Sequence, residues 1–397
     1  MQSQSNQNDE LKIFSKDFVI IWLANFFIFL GFQMTLPTIP IFVNELGGSD
    51  RDIGIIVGIF TFSALLLRPY AGHSLESKGR GPVYIVGLLL FVVSVGSFGF
   101  ITSIGFLIMI RMVQGVGWGF STTASGTIAT DLIPPKRRGE GMGYFGLSGN
   151  LALAFGPALG LTLAEYISFT QLFLICAILG FIALVLALNI RYKKVDDSLH
   201  KTKPARFDVI EKTAINPSVL LLFITLTFGG ITSFLPLYAA EKEVWGIQLY
   251  FISYALFLML SRVFAGRIYD KMGDLYVIPP GTMLIFTAML LLSWLPNTTV
   301  MLLAGALYGL GFGSVQPALQ AWAVNEAAQN RKGMANATFF SFFDLGIGIG
   351  AMLFGQLAFW FDYAIIYIVS AGSVFVALMY YLFLIKTGRR QLKSRNI

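Results

Sequence analysis

The sequence predicts an all-α integral membrane protein, with twelve transmembrane helices in two pseudo-symmetric six-helix bundles. Three observations predict it. First, Arg68-Pro-Tyr-Ala-Gly72-His-Ser-Leu-Glu76-Ser-Lys-Gly79-Arg80 returns 194 residues later as Arg262-Val-Phe-Ala-Gly266-Arg-Ile-Tyr-Asp270-Lys-Met-Gly273-Asp274. The same offset pairs Gly115, Gly117 and Gly119 with Gly309, Gly311 and Gly313, Arg137-Arg138-Gly139 with Arg331-Lys332-Gly333, and Gly156 with Gly350. An offset near half of 397 residues marks a duplicated unit. Second, the chain is 56% hydrophobic and only 12% charged, with a mean hydropathy of +0.72; soluble domains carry about 25% charge. Third, long apolar runs recur, and a bilayer core takes about 20 apolar residues per helix.

In chain order, residues 1–17 are polar and mixed in charge (Asp9, Glu10, Lys12, Lys16, Asp17). No small-residue cleavage site follows the first apolar run, so a retained first span is expected rather than a signal peptide. The spans are predicted at 18–41, 52–73, 83–102, 105–128, 141–164, 169–190, 216–239, 246–266, 276–295, 299–323, 333–358 and 363–385. Residues 1–190 form the first half and 216–397 the second. Between them, 191–215 carries Arg191, Lys193, Lys194, Asp196, Asp197, Lys201, Lys203, Arg206, Asp208, Glu211 and Lys212, a hydrated linker. Of 28 Lys and Arg, all but five lie in the termini or in loops on the linker's side. Arg51 and Lys242 fall on the other side; Arg68, Arg111 and Arg262 lie within spans. The positive-inside bias therefore places both termini and the linker in the cytoplasm. It also accounts for the net charge of +7 without nucleic acid. The single cysteine, Cys176, excludes a disulfide framework or thiol metal site.

Charges inside the hydrocarbon carry the most information, since each costs about 2.5–3.5 kcal/mol at mid-helix on insertion scales. Arg111 lies in span 4, followed on one helical face by Gln114, Trp118, Thr122 and Ser125, a stripe expected to face the interior. Its role is either coupling or structural hydrogen bonding. Asp344 in span 11, whose repeat counterpart is Asn150, is the only acid near a midplane. Either it is a protonatable or cation-binding group, or a neutral acid hydrogen-bonded between helices. Asn25 and Gln33 add polarity to span 1; Gln316 and Gln320, four apart, share a face of span 10. Arg111, Gln114, Asp344, Asn25, Gln33 and Gln316 are the candidate coupling and substrate-cavity residues.

In the repeated loop, Gly72 and Gly79 permit close helix approach and a tight turn, and Glu76 suits a helix N-terminus. Arg80 is positioned to pair with Asp131 at the cytoplasmic end of span 4. The alternatives are a latch with two states or a solvated turn with snorkelling charges. Arg68 and Arg262, about one turn inside the boundary, are expected to snorkel. Gly156-Pro157 lets span 5 bend against a neighbour. Gly115-x-Gly117-x-Gly119 is no nucleotide loop, because no strand precedes it and no Lys-Ser/Thr follows; helix packing is the better account, as for Gly346-xxx-Gly350.

Gly72-xxx-Glu76-xx-Gly79-Arg80 resembles the loop motif between the second and third helices of the major facilitator superfamily. The family pattern has aspartate at Glu76 and basic residues at Ser77 and Gly81, so this copy is degenerate. The second copy, Gly266-xxx-Asp270-Lys271-x-Gly273, matches better. Leu30-Gly31-xxxxx-Pro37-xx-Pro40 in span 1 and Arg111-xx-Gln114-Gly115 in span 4 are similar to motifs of the twelve-helix drug:proton antiporter branch. Gly156-Pro157-xx-Gly160 resembles the antiporter signature, with Ala152 and Leu161 replacing glycines. The resemblance implies the major facilitator fold, the Arg80–Asp131 pairing, and packing of Gly156-Pro157 on span 8. It also implies a proton-coupled exporter of small amphiphilic molecules in the cell membrane, with a nutrient or metabolite symporter or facilitator as the alternative. Phenylalanine-rich walls (37 Phe) favour the exporter. His73 and His200 are the only histidines, both in polar loops, and no metal-ligand or nucleophile–base grouping appears. An enzyme is therefore not expected, nor a cofactor: the energy source is a proton gradient. The expected partners are a small-molecule substrate and the lipid bilayer, with no nucleic acid, and the chain is expected to work as a monomer.

Overall fold

The computed structural model describes residues 13–134, 137–192, 210–328 and 331–387. Twelve helices among them are long and apolar enough to cross a membrane, and no strand occurs among the described residues. In order they are α1 (Lys16–Glu45), α2 (Asp50–Ser77), α3 (Arg80–Ser97), α4 (Ile104–Leu132), α5 (Arg138–Tyr166), α6 (Phe169–Ala187), α7 (Ile215–Glu241), α8 (Ile247–Met272), α9 (Ile278–Trp294), α10 (Thr298–Asn325), α11 (Lys332–Trp360) and α12 (Tyr363–Lys386). Each matches a predicted span. Several overrun it, because a ruler for hydrocarbon thickness misses the helical turns that continue into the polar interface.

Local chemistry sets several starts. Ser168 and Gln171 form a capping box at α6, while the Asn297 and Asp362 side chains accept the Val300 and Ile365 amides at 3.0 and 3.1 Å. These caps occupy amides that lack a carbonyl partner in the first turn. The turns after α2 and α8 are carried by Gly79 and Gly273, both at φ 92°, a conformation that a side chain disfavours. The two positions are 194 residues apart.

Contacts group the chain into two compact units, 1–35 with 62–206 and 36–61 with 207–397. In the first, α3 packs on α4 and α6; in the second, α7 packs on α11 and α12, and α10 on α8 and α9. The second unit also takes in the end of α1 and the start of α2. There Tyr363 Oη donates to Asp50 Oδ1 at 2.7 Å, and a Cβ built on Gly54 would lie 2.7 Å from the Ala351 carbonyl oxygen.

The repeat seen in sequence recurs in the packing. A Cβ on Gly117 would meet Gly87 O at 2.9 Å; 194 residues on, Gly311 would meet Gly281 O at 2.5 Å. Backbones this close need glycine on the contacting face, as in membrane helix packing generally.

Candidate functional site

In the first unit the predicted polar stripe of α4 is buried: Arg111 and Gln114 are 0% exposed, and Trp118 and Ser125 are also enclosed. Thr122 is half-buried. Arg111 Nη1 donates to Gln114 Oε1 at 2.6 Å, one turn along. Trp118 stacks on Phe32 of α1 at 4.1 Å between centroids and tilts against Phe29 at 4.7 Å. Gln33 of α1 is buried. Its Oε1 and the Gln114 Nε2 are enclosed with no hydrogen-bond partner among the described residues.

Asn25, predicted as a cavity residue, spends its amide between helices. Its Nδ2 donates to Ser148 Oγ of α5 at 2.8 Å, and its Oδ1 accepts from Ser125 Oγ of α4 at 3.0 Å. Trp22 Nε1 adds a bond to Tyr144 O at 2.8 Å. Gly156 joins the same seam: its Cβ would fall 2.4 Å from Gln33 Cβ. The close approach of this glycine is thus with α1, where packing on span 8 was expected. α5 runs unbroken through Pro157.

In the second unit, Arg262 does not simply snorkel. It is half-buried, and its Nη2 donates to Gln316 Oε1 of α10 at 3.2 Å. Gln316 Nε2 donates to Gln320 Oε1 at 3.3 Å, and Gln320 Nε2 to Asn336 Oδ1 of α11 at 2.8 Å. The predicted Gln316–Gln320 face is therefore the middle of a polar chain through three helices. Asp344 lies eight residues after Asn336 on α11. It is half-buried, next to Phe343, whose ring meets Phe312 and Phe340 edge-on.

Across the α2–α3 turn and the end of α4, Arg80 Nε donates to Asp131 Oδ2 at 3.0 Å, the side chains being 22% and 18% exposed. Arg80 Nη1 donates to Leu75 O at 3.0 Å. The expected pairing therefore exists. Other parts of the motif differ from expectation. Glu76 lies in the last turn of α2, not at a helix N-terminus, because α2 continues to Ser77 before Gly79 turns the chain. No described atom stands within 4 Å of a Cβ at Gly72 or Gly266, so close packing does not account for those two glycines. The side chains of Glu76 and Asp270 lie outside the described residues.

Sequence reading missed a second charge pair. Glu211 caps the short 3-10 turn before α7, accepting from Thr213 N and Oγ1 at 3.3 and 3.0 Å, and pairs with Arg331, which precedes α11. The Arg331 hydrogen bond, aided by Thr213, holds the Glu211 carboxyl below the usual carboxylate range against the opposing effect of burial. The offset contained a signal: Glu211 and Arg331 stand 194 residues after Asp17 and Arg137.

The family model for the Major Facilitator Superfamily matches residues 21–351 and 282–396. An uncharacterized MFS-type transporter of Methanocaldococcus jannaschii is 28% identical over 92% of this chain and 98% of its own. Quinolone resistance protein NorA of Staphylococcus aureus is 24% identical over 96% of this chain and 100% of its own. Among solved structures, the nucleoside transporter NupG superposes with a TM-score of 0.72 at 13% identity, covering 94% of this chain and 100% of that one.

Proposed function

The chain belongs to the Major Facilitator Superfamily, and on that premise we propose that it is a proton-coupled exporter of small amphiphilic molecules, working by alternating access. It is a multi-pass membrane transporter. The finer reading places it in the cell membrane with both termini cytoplasmic, as the distribution of Lys and Arg favours.

Arg111 carries the reading. A guanidinium with no exposed surface, at hydrocarbon depth and bonded to a neutral glutamine, is expensive to keep, and such groups mark substrate or proton pathways. Its motif resembles that of antiporters, and a relative similar over the whole chain is named for quinolone resistance. Asp344 supplies a carboxyl in the other unit. Protonation of Asp344 would alternate with binding of a cationic or hydrogen-bonding substrate. Arg80–Asp131 would act as a latch on the cytoplasmic side.

The test is transport into inside-out vesicles with and without an acidic lumen, using a panel of amphiphilic cations and a quinolone. Accumulation that depends on the acidic lumen is expected. Uptake indifferent to the gradient, or driven only in right-side-out vesicles, would replace the exporter by a facilitator or a symporter.

A further inference from the structure

The linker begins on the latch. Tyr192, just beyond α6, lies with its ring against the first turn of α3: a Cβ built on Gly81 would stand 2.8 Å from Tyr192 Cδ2 and 3.0 Å from Cε2. The hydroxyl donates back to Ala187 O, in the last turn of α6, at 2.5 Å. One residue earlier, Arg191 N makes a long 3.5 Å bond to Asp17 Oδ1. Tyr192 also shares a cavity of about 160 Å³ with Arg80, Asp131, Ile128, Leu132 and Arg191.

Gly81 follows Arg80 directly, so whatever fixes Gly81 fixes the backbone from which the Arg80 side chain reaches Asp131. An ion pair with both partners about one-fifth exposed contributes little by itself, because water competes for it and two side chains must be ordered. Its geometry has to come from its surroundings. A tyrosine ring with two rotatable bonds, packed on one side and tethered at its hydroxyl, supplies that at low entropic cost. The second repeat gives an internal control. At the equivalent positions it has Asp274 for Arg80, Asn325 for Asp131, Leu275 for Gly81 and Lys386 for Tyr192. The copy without the arginine–aspartate pair also lacks the glycine and the tyrosine.

We propose that Tyr192 is a positioning residue that clamps the start of α3 through Gly81, holding Arg80 on Asp131 and tying the linker to the latch. The proposal rests on reading Arg80–Asp131 as a latch.

The experiment uses the full-length protein with Cys176→Ala and one reporter cysteine, Ile128→Cys, in the cavity wall, where Ile128 is 2% exposed. Thiol labelling should be slow. Tyr192→Ala should raise the rate about fivefold, the change expected when an equilibrium shifts by the weight of one such contact. Gly81→Ala, which displaces the ring without touching it chemically, should do the same, and Tyr192→Phe, which keeps the ring and loses only the hydroxyl tether, should fall between the parent and Tyr192→Ala. With Arg80→Gln already present, Tyr192→Ala should add nothing, since the two act through one contact. In gradient-driven transport Tyr192→Ala should lower kcat and leave KM unchanged. Unchanged labelling in Tyr192→Ala, or additive effects with Arg80→Gln, would overturn the clamp. Labelling needs neither substrate nor gradient. Inactivity of the parent in transport with the labelling pattern intact would therefore count against the exporter reading and leave the clamp standing.

Discussion

Arg111 donates to Gln114 within one helix: Nη1 to Oε1 is 2.6 Å, and neither residue has exposed surface. A hydrogen bond to a charged group is worth about 1.5–3 kcal/mol, which corresponds to roughly ten- to a hundredfold in a rate or equilibrium. Arg111→Lys keeps the charge and loses the planar fork. It is expected to insert normally and to lower gradient-driven transport by at least about tenfold. Vesicle transport normalised to membrane protein level checks this; wild-type coupling in Arg111→Lys would mean that the planar fork is dispensable and the charge alone suffices.

Asp344→Asn mimics the protonated carboxyl at nearly the same volume, so folding should survive. Gradient-driven transport and substrate-induced proton release are the expected losses, with energy-independent exchange persisting. The measurements are a pH-dependent transport series and proton release from purified protein. Pumping at the wild-type rate with unchanged pH dependence would move the coupling group elsewhere.

The polar chain Arg262–Gln316–Gln320–Asn336 predicts that its members act together. Asn336→Ala and Gln316→Ala should each reduce transport, and the double variant should be no worse than the more severe single one. Full additivity would mean independent roles.

At the α1–α5 seam, a methyl on Gly156 would stand 2.4 Å from Gln33 Cβ. Overpacking of this kind costs about 1–3 kcal/mol. Gly156→Ala should therefore melt at a lower temperature in detergent and leak protons in vesicles. Restoring room with Gln33→Gly, which removes the clashing Cβ, should recover part of the melting loss. A variant as stable and as tight as wild type would mean that the seam yields without cost.

Glu211–Arg331 predicts a pH dependence whose sign follows from the lowered carboxyl. A folded-state pKa below the unfolded value, about 4.3 for Glu, gives stability that is fully present above the unfolded value. That stability is lost as pH falls through the folded one. Glu211→Gln should therefore melt below wild type at neutral pH, with the two curves converging in acid. Melting curves across pH test this, and an equal gap at every pH would exclude the charge as the cause.

The sequence by itself determined what is local or additive. Twelve apolar runs, the 194-residue repeat and the side on which the basic residues collect each follow from residue type and order, because the bilayer acts on every span separately. The spacing of Arg111, Gln114, Trp118 and Ser125 also told that one face of α4 is buried, since helical period fixes which residues share a face. What only the tertiary structure decided is which partner each face meets. Asn25 is joined to Ser148 and Ser125, Arg262 to Gln316, Glu211 to Arg331, and Gly156 to Gln33. Residues 36–61, part of the first repeat by sequence, pack with 207–397. Those choices depend on the rotation and axial register of helices distant in sequence. Periodicity within a single helix leaves both free, and only packing against a neighbour fixes them.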